Sequence, residues 1–564
     1  MAIDVVTSET VNAAAQLAEW ARRTPQAIAV AEPRRGRIGR WRMSAARTYR
    51  RLTFAELEAD TNRLAEGLVA MGVRPGTRLA MFMPFGIDFI SLVYAVFKSG
   101  GVAVLIDPGM GLRSTLDCLG EVRPEGFIAV PPVHAFRALP GGRFANRGLN
   151  VTVGRRWFWG GATIAQFRRR GSGEFTAVAM QADDPAAIIF TSGSTGPAKG
   201  VLYCHGNFIH QAKEIQTFYK IPPGEIDAPC FPLFGLFNAS MGVTTVIPDM
   251  DPRHPARVDP RRLIATINDW QATQSSGSPA VWKRVGQYCE EQGVRISTLK
   301  RVFSAGAPAR IPMLRRMQAC IHPEGEMHTP YGATEALPVA SIEAREVLGE
   351  TGRRTDAGSG VCVGRKFPGI EWRVIRIVDR PLSSIRDLEL PTGEIGELIV
   401  RGPVVTREYV TRLEANGWAK IPEDAGFWHR MGDLGYLDAQ DRFWFCGRKT
   451  QRVLTATGPM YTIPCEAIFN RHADVSRSAL VGIGAPGMQT AAIVVEPLPG
   501  KGLHRGMARG KLIGELRTLA LSSPLTSEIR HFFVRRRMPV DIRHNAKIAR
   551  EKLAEWASRR IAKS

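Results

Sequence analysis

The sequence lacks three features: paired cysteines, a long uninterrupted apolar run and a leader-like start. The eight cysteines are scattered singly without a Cys-x-x-Cys pair, which argues against a zinc site and a disulfide framework. The most apolar stretch, residues 79–106, is broken by Pro84, Asp88 and Lys98, whereas a membrane span needs about 20 nearly continuous apolar residues. No basic segment followed by an apolar one opens the chain, so we expect no signal peptide. These absences favour a cytoplasmic protein with reduced thiols and no transmembrane segment.

The chain is long and basic. Its 564 residues are too many for one compact core, so we expect at least two domains. Lysines and arginines outnumber acidic residues by 75 to 53, and residues 501–564 hold 16 of the basic and 5 of the acidic residues. A basic patch attracts nucleic acid, anionic lipid or a polyanionic nucleotide, and it is equally typical of a solvated surface. No RNA-binding or helix-turn-helix pattern accompanies the charge, so we expect no nucleic-acid partner and leave peripheral membrane contact open.

Apolar and amphipathic stretches alternate up to about residue 447. Residues 78–83 are typical of a buried strand and residues 89–98 of a helix, and their alternation favours parallel α/β layers. After Gly447 the pattern changes to short strands, a loop rich in Gly, Lys and Arg, and two helices. We therefore predict an α/β fold with a large N-terminal domain of layered α/β subdomains, residues 1–447, and a small mobile α+β C-terminal domain, residues 448–564.

An apolar strand at residues 186–190 leads into a loop of hydroxyls and glycines, Thr-Ser-Gly-Ser-Thr-Gly-Pro-Ala-Lys-Gly at 191–200. Glycines let backbone N–H groups approach an anion closely, hydroxyls add donors, and Lys199 adds positive charge, which together suit a polyphosphate. The spacing is not that of a Walker loop, since GxxxxGK[ST] is absent. A polar linker is the alternative, but a linker has no reason to follow a buried strand directly.

The loop closely resembles the phosphate loop of the adenylate-forming superfamily, a group of AMP-binding enzymes that includes acyl-CoA synthetases, luciferase and peptide-synthetase adenylation domains. With the further motifs below, the resemblance spans residues from about 20 to 560. It implies that the protein uses ATP and Mg²⁺ to convert a carboxylic acid into an acyl-adenylate. It also implies that the nucleotide is contacted by Thr191, Ser192, Gly193, Ser194, Thr195, Gly196 and Lys199.

The run His-Thr-Pro-Tyr-Gly-Ala-Thr-Glu-Ala at 328–336 matches the YGxTE element of that superfamily. Tyr331 offers a flat face for a purine, Thr334 offers a hydroxyl for the α-phosphate, and Glu335 is a hard oxygen ligand suited to Mg²⁺. The resemblance assigns these roles, places Gly332 beside the nucleotide, and makes Thr334 and Glu335 catalytic. Taken alone, the run is more typical of a helix start with an acidic first turn.

Two more motifs extend the resemblance. The run 304–308 resembles the turn that lines the adenine and acyl pockets, with contacts from Gly306, Ala307 and Pro308. Asp433, in the run Gly-Asp-Leu-Gly, would accept both ribose hydroxyls, a natural task for a carboxylate with two oxygens. Arg448 would make a second ribose or phosphate contact at the domain hinge. A plain hairpin turn is the alternative for the run around Asp433.

The C-terminal run Arg-His-Asn-Ala-Lys-Ile-Ala-Arg, residues 543–550, resembles the lysine loop of the superfamily. Its Lys547 is the candidate catalytic lysine, since a mobile ammonium can bridge the substrate carboxylate and the α-phosphate as negative charge builds. The alternative is one of many surface lysines. The resemblance implies that the small domain swings about the hinge and carries Lys547 to and from the site.

Several positions depart from the commonest acyl-CoA synthetases. Gly235 falls where most of them carry a histidine, and Thr450 falls where they carry a hinge Asp or Lys. These changes cluster where a CoA thiol would approach or where the domain pivots. The whole set resembles one branch closely, the olefin β-lactone synthetases of bacterial long-chain alkene biosynthesis, through runs such as DMDPRHPARVDP (249–260) and YTIPCEAIF (461–469).

In that branch the substrate is a long-chain 2-alkyl-3-hydroxy acid, whose own hydroxyl attacks the acyl-adenylate and closes a β-lactone. The resemblance implies such a β-hydroxy acid as substrate and other olefin-biosynthesis enzymes as partners. An internal nucleophile has a large effective concentration, which helps to offset ring strain. Two alkyl chains need a wide apolar pocket, for which the candidates are Phe234, Phe237, Met241, Gly277, Ser304 and Ala333.

Two other functions stay open at this point. One is a long- or medium-chain fatty acyl-CoA ligase, or an acyl-AMP ligase that loads a carrier protein. The other is a catalytically silent nucleotide-binding partner in a multienzyme assembly. The presence of Lys547, Glu335 and Asp433 argues against the silent partner.

Overall fold

The computed structural model describes residues 11–34, 47–139, 148–191, 196–424, 426–500, 502–504, 506–540 and 548–562. Within these ranges the chain forms three large β-sheets and two small ones, with helices packed around them. The helices of five or more residues are Ala15–Arg23, Phe54–Ala70, Ile87–Lys98, Leu112–Val122, Pro131–Ala138, Ile164–Arg170, His205–Phe218, Pro232–Met241, Pro260–Trp270, Pro279–Gln292, Ile311–Cys320, Gly352–Asp356, Glu414–Ala419, Thr462–Asn470, Gly506–Leu521 and Arg550–Ile561, together with the π-helical turn Val347–Thr351.

The first large sheet carries the strand that leads into the phosphate loop. Its neighbouring strands run parallel except at one edge, where the last pair is antiparallel. Parallel strands joined by helices bury both faces of a sheet, as the apolar runs of the sequence predict. Across the sheet, its seven described strands are Ala162–Thr163, Leu149–Thr152, Gly126–Ala129, Arg78–Phe82, Val102–Leu105, Pro185–Phe190 and Gly200–Cys204.

The second large sheet has a parallel centre and antiparallel edges. The turn between two of its strands, Glu326–Ala333 and Ala336–Glu343, consists of Thr334 and Glu335. Across the sheet, its nine described strands are Arg365–Lys366, Ala336–Glu343, Glu326–Ala333, Arg301–Ser304, Gln274–Gly277, Ile226–Asp227, Thr244–Val246, Ile28–Pro33 and Tyr49–Thr53.

The third large sheet is antiparallel and holds Asp433 and Arg448 on neighbouring strands. Asp433 lies inside the long strand Gly426–Leu437, so the hairpin-turn alternative for its run is wrong. In the described residues the other strands of this sheet are Val361–Cys362, Phe443–Arg448, Gly396–Arg401, Glu371–Ile375 and Lys420–Glu423.

The C-terminal part of the chain has its own sheets and its own core. Two small sheets follow Arg448 in the described chain, and helices Thr462–Asn470 and Gly506–Leu521 pack on the larger one. Their buried apolar residues form a separate cluster that includes Leu480, Ile493 and Leu516. The strands are Val453–Thr455 and Gly458–Met460 in one sheet, and Val475–Ile483, Thr490–Pro497 and His531–Val534 in the other.

The predicted fold class, a large α/β domain followed by a small C-terminal domain, is confirmed. The division at residues 447 and 448 stays a prediction. Among the described helices we find none that is long and apolar enough to cross a membrane.

Local sequence features explain where one cavity-lining helix begins and ends and how it is anchored. Helix Pro232–Met241 begins with a proline, which suits the first turn because the missing N–H has no partner there in any case. It ends at Gly242, whose φ of +71° is a conformation that glycine adopts without strain. On the side that faces the sheet, Asn238 Nδ2 donates to Asp227 Oδ2 at 2.8 Å and to Thr245 Oγ1 at 3.0 Å. The helix is thereby tied to two strands of the second sheet.

Candidate active site

A cavity of about 2250 Å³ is lined by residues from all three large sheets and from the C-terminal domain. Most of the residues predicted to contact nucleotide face it. Four members of the predicted phosphate loop, residues 192–195, lie outside the described residues. Those that line the cavity are Thr191, Gly196, Lys199, Gly306, Ala307, Pro308, Tyr331, Gly332, Thr334, Glu335, Asp433 and Arg448.

Asp433 is the centre of a buried charge cluster. It is only 2% exposed, and it faces Arg448 because the two residues are direct partners on neighbouring antiparallel strands. Arg448 Nη1 lies 3.0 Å from Asp433 Oδ1, an ion-pair contact rather than an aligned hydrogen bond, and the Tyr331 hydroxyl donates to Asp433 Oδ2. Burial raises the pKa of Asp433, while the positive charge of Arg448 opposes that rise. The cluster therefore offers a carboxylate held in place at the cavity wall.

The turn that carries Thr334 and Glu335 is fixed by four hydrogen bonds from other segments. Tyr203 donates its hydroxyl to the Thr334 carbonyl at 2.6 Å. The N–H and the hydroxyl of Thr406 both donate to the Glu335 carbonyl, at 2.9 and 3.0 Å. Tyr409 donates its hydroxyl to Glu335 Oε1 at 2.6 Å. The run forms two strands and a turn rather than a helix start, so the alternative interpretation of YGATE is wrong.

The two ends of the phosphate loop are clamped together. The Thr191 N–H donates to the Lys199 carbonyl, and the Lys199 N–H donates to Thr191 Oγ1, both at 3.0 Å. The Lys199 ammonium lies 4.4 Å from the centre of the Tyr409 ring. Because Tyr409 also bonds Glu335, one side chain links the loop lysine to the candidate metal ligand.

Sequence reasoning missed three polar residues beside this cluster: the buried Tyr409 and His429, and the half-buried Lys420. Lys420 and His429 are direct partners on neighbouring strands, and the Lys420 ammonium donates to the Thr406 carbonyl. Burial lowers the pKa of Lys420 to about 7, although Glu335 nearby acts in the opposite direction. Burial and the neighbouring Lys420 also lower the pKa of His429 well below its usual range. A polar residue at an inward-facing position of a strand could have indicated such a site. That signal is weak as long as the pairing of the strands is unknown.

The predicted acyl-pocket residues divide into two groups. Phe234, Phe237, Ser304 and Ala333 line the cavity. The other two, Met241 and Gly277, do not line it. Met241 is 2% exposed and packs inside the hydrophobic core, at the end of its helix. Gly277 lies against the Trp282 indole, where an added Cβ would be 3.1 Å from the ring, and it too is absent from the cavity wall.

Lys547 lies outside the described residues, but both flanks of its loop are described. Val540 and Ile548 pair as an antiparallel bridge, and the Ala549 N–H donates to the Pro539 carbonyl at 2.9 Å. All four of these residues line the cavity. Both described flanks of the loop therefore lie at the cavity wall.

The described part of the chain contains no metal site formed by protein ligands alone. It contains no group of three or more His, Cys, Asp or Glu side chains arranged to hold an ion. A metal that binds here would take most of its ligands from a bound molecule and from water, as Mg²⁺ does in phosphate complexes.

Comparison with known proteins decides the family. The AMP-binding enzyme family matches residues 17–410. The chain is 43% identical to the olefin beta-lactone synthetase of Stenotrophomonas maltophilia, over 98% of this chain and 99% of that one. It is 42% identical to the olefin beta-lactone synthetase of Xanthomonas campestris pv. campestris, over 97% of each chain. This chain belongs to the AMP-binding enzyme family.

A solved structure supports the fold independently. ATP-bound MatB from Rhodopseudomonas palustris superposes with a TM-score of 0.75 at 21% identity, over 98% of this chain and 99% of that chain. An identity this low shows the fold alone. The predicted membership of the adenylate-forming superfamily, the resemblance to olefin β-lactone synthetases and the enzyme class are confirmed.

Proposed function

We propose that this enzyme converts a long-chain 2-alkyl-3-hydroxy acid and ATP into a β-lactone, AMP and pyrophosphate, in long-chain olefin biosynthesis. The observation that carries the proposal is 43% identity, over nearly the whole chain, to an olefin beta-lactone synthetase. The cavity supports it because phosphate-binding, carboxylate and aromatic residues share one space.

In the first step the substrate carboxylate attacks the α-phosphorus of ATP. A bond forms between a carboxylate oxygen and phosphorus, and the bond to pyrophosphate breaks. A carboxylate is a poor acyl donor, and AMP is a far better leaving group than oxide. The task of the protein is mainly to position the reactants and to neutralise charge. Lys199 and the glycine-rich loop at 191–200 would hold the departing pyrophosphate.

Asp433 and Arg448 fit the ribose end of the nucleotide. A carboxylate accepts at about four positions, and the contacts with Tyr331 and Arg448 leave room for ribose hydroxyls. Burial raises the pKa of this carboxyl, and the positive charge of Arg448 opposes that rise. Tyr331 would pack against the purine.

Glu335 is the candidate ligand for Mg²⁺. Its carboxylate lines the cavity, and among the described residues only one of its two oxygens accepts a hydrogen bond. Bound Mg²⁺ would neutralise charge on the phosphates. Tyr409 and Thr406 orient Glu335, and Thr334 places a hydroxyl in the same turn.

In the second step the 3-hydroxyl oxygen of the same molecule attacks the acyl carbon. A carbon–oxygen bond forms, the bond to AMP breaks, and the hydroxyl proton is released. The internal nucleophile has a large effective concentration, and the mixed anhydride supplies driving force against ring strain. We propose that Lys547 stabilises the charge that develops during adenylation, on a C-terminal domain of residues 448–564 that moves relative to residues 1–447.

The proposal also covers the cellular location of the enzyme and the enzymes that act before and after it. All eight cysteines are free and buried, which suits a cytoplasmic location where thiols stay reduced. Other enzymes of olefin biosynthesis would supply the hydroxy acid and consume the lactone.

Product analysis tests the function directly. The enzyme is incubated with ATP, Mg²⁺ and a 2-alkyl-3-hydroxy acid without CoA, and the products are identified by NMR under mild conditions. We expect β-lactone and AMP in equal amounts. Turnover that requires CoA or a carrier protein, with a thioester as product, would instead establish the acyl-CoA or carrier-loading ligase.

A further inference from the structure

A glycine inside a cavity-lining helix marks a close contact. Helix Pro232–Met241 contains Gly235, although glycine is unfavourable in a helix interior. An added Cβ at this position would lie 2.7 Å from Phe85 Cζ and 3.3 Å from Phe85 Cε2. Because real Cβ contacts of 2.7 Å do not occur, any larger residue would force the Phe85 ring to move. Gly235 therefore lets the ring of Phe85 lie directly on the helix.

Phe85 belongs to an apolar wall built from two segments. One runs from the turn after strand Arg78–Phe82 into helix Ile87–Lys98, and the other runs from Phe231 into helix Pro232–Met241. The rings of Phe85 and Phe89 pack edge to face at 6.0 Å, and those of Phe231 and Phe234 lie 5.7 Å apart. We name as the aromatic arm the cavity-lining residues Met83, Phe85, Phe89, Phe231, Phe234 and Phe237.

The aromatic arm is connected to the turn where the chemistry takes place. The Phe237 ring lies 6.4 Å from Phe208, and the Phe208 ring lies 5.5 Å from Tyr203. Tyr203 in turn donates its hydroxyl to the Thr334 carbonyl. A continuous row of rings therefore joins the arm to Thr334.

The cavity has a second wall, in which apolar residues of a different core lie among charged residues such as Asp251, Arg253 and Arg262. Met250, Val258 and Leu314 also line the cavity, and they pack in a hydrophobic cluster separate from the one behind the aromatic arm. An acid with a single unbranched chain needs only one such wall. Two walls with separate cores suit a substrate with two alkyl chains.

We propose that the aromatic arm binds the alkyl branch on C2 of the substrate, and that the contact between Phe85 and Gly235 sets the length of branch that is accepted. This inference rests on the proposed function. C2 is bonded directly to the carboxyl carbon, so its branch begins closest to Thr334, where the row of rings arrives. The chain on C3 begins one carbon farther away and extends along the second wall.

The test compares acids that differ only in the C2 branch. ATP–pyrophosphate exchange gives kcat/KM for adenylation with a series of 3-hydroxy acids whose branch grows from none to long. In Gly235→Ala the methyl group displaces Phe85 into the arm, so kcat/KM for long-branched acids should fall about tenfold. The value for the unbranched acid should fall much less.

Three further variants separate this effect from misfolding. In Gly235→Ala/Phe85→Leu the smaller side chain makes room for the methyl group, and preference for long branches should return. Phe85→Ala alone should shift the preferred branch to greater length. The matched control is Gly514→Ala, the same change in a helix where an added Cβ meets nothing within 4 Å, and it should behave as wild type.

The outcomes are distinguishable from failure of the proposed function. Equal losses for branched and unbranched acids in Gly235→Ala, or an unchanged branch preference in Phe85→Ala, would overturn the arm. Absence of lactone from the wild-type enzyme would overturn the proposed function, while the dependence of adenylation on branch length would still report on the arm.

Discussion

The two ends of the cavity are built on different principles. At the end that we propose for the nucleotide, hydrogen bonds and an ion pair from separate segments hold Asp433, Glu335 and Thr334. At the acyl end, the aromatic arm is held by ring packing and by a glycine. The first end fixes one geometry for a molecule that does not vary. The second provides a shape that tolerates exchange among apolar residues of similar size.

This comparison predicts that activity falls most when a charged side chain at the nucleotide end is removed. Lys547→Ala should lower adenylation about 100- to 1000-fold, because the ammonium acts as negative charge develops in the transition state. ATP binding, measured by calorimetry, should change little. Lys511→Ala, at an exposed lysine of the same domain, is the control and should keep full activity. A loss of ATP binding that matches the loss of rate would contradict the assigned role.

Glu335→Gln should have the next largest effect. An amide keeps the size of the side chain and its bond from Tyr409, but it removes the negative charge that suits Mg²⁺. We expect kcat/KM to fall about 100-fold and the Mg²⁺ concentration needed for half-maximal rate to rise. Glu408→Gln, at an exposed carboxylate nearby, controls for the change in charge. An unchanged Mg²⁺ requirement would rule out Glu335 as the metal ligand.

A smaller loss should follow from the residue that orients this carboxylate. Tyr409→Phe removes only the hydroxyl that donates to Glu335 Oε1 at 2.6 Å, and the ring under Lys199 remains. A hydrogen bond to a charged acceptor is worth enough to change kcat/KM about tenfold. The Mg²⁺ requirement should shift in the same direction as in Glu335→Gln. A drop in thermal stability without that shift would assign Tyr409 a purely structural role.

The same contrast explains what sequence could foresee. The family resemblance pointed to Asp433, Glu335 and Arg448, and the structure brings these three residues to one cavity, while their roles stay predictions. The strand at 78–83 and the helix at 89–98 were predicted to within two residues of Arg78–Phe82 and Ile87–Lys98. Apolar periodicity reports such elements well.

The predicted pocket residues that do not line the cavity have a physical reason too. Met241 was assigned to the pocket since apolar character does not tell a core residue from a pocket wall. Gly277 ends strand Gln274–Gly277, and the Trp282 ring that covers it comes from the helix that follows. Lys420 and Tyr409 were missed because their surroundings depend on pairing that no local pattern reveals, with His429 for Lys420 and with Val201 for Tyr409.

The weakest expected effect concerns how the acyl end is anchored rather than what it binds. Asp227, 4% exposed, accepts from Asn238 on the helix of the aromatic arm. Burial raises its pKa to about 7, and the charge of Glu225 adds to the rise. Between about pH 4, where the unfolded chain ionises, and pH 7, the folded state keeps the proton. The free energy of unfolding therefore falls as pH rises through this range.

Asp227→Asn should remove that dependence, because an amide does not ionise. The free energy of unfolding of the variant minus that of wild type should therefore be greater at pH 8 than at pH 5. We expect this difference to grow by on the order of 2 kcal/mol between the two pH values. Urea denaturation at the two pH values measures it, with Asp356→Asn at an exposed carboxylate as control. Adenylation of unbranched and branched acids should change equally, since the anchor lies behind the helix. A selective loss of activity toward branched acids would show instead that the bond between Asp227 and Asn238 shapes the aromatic arm. The acyl end of the cavity would then include the sheet beneath the helix.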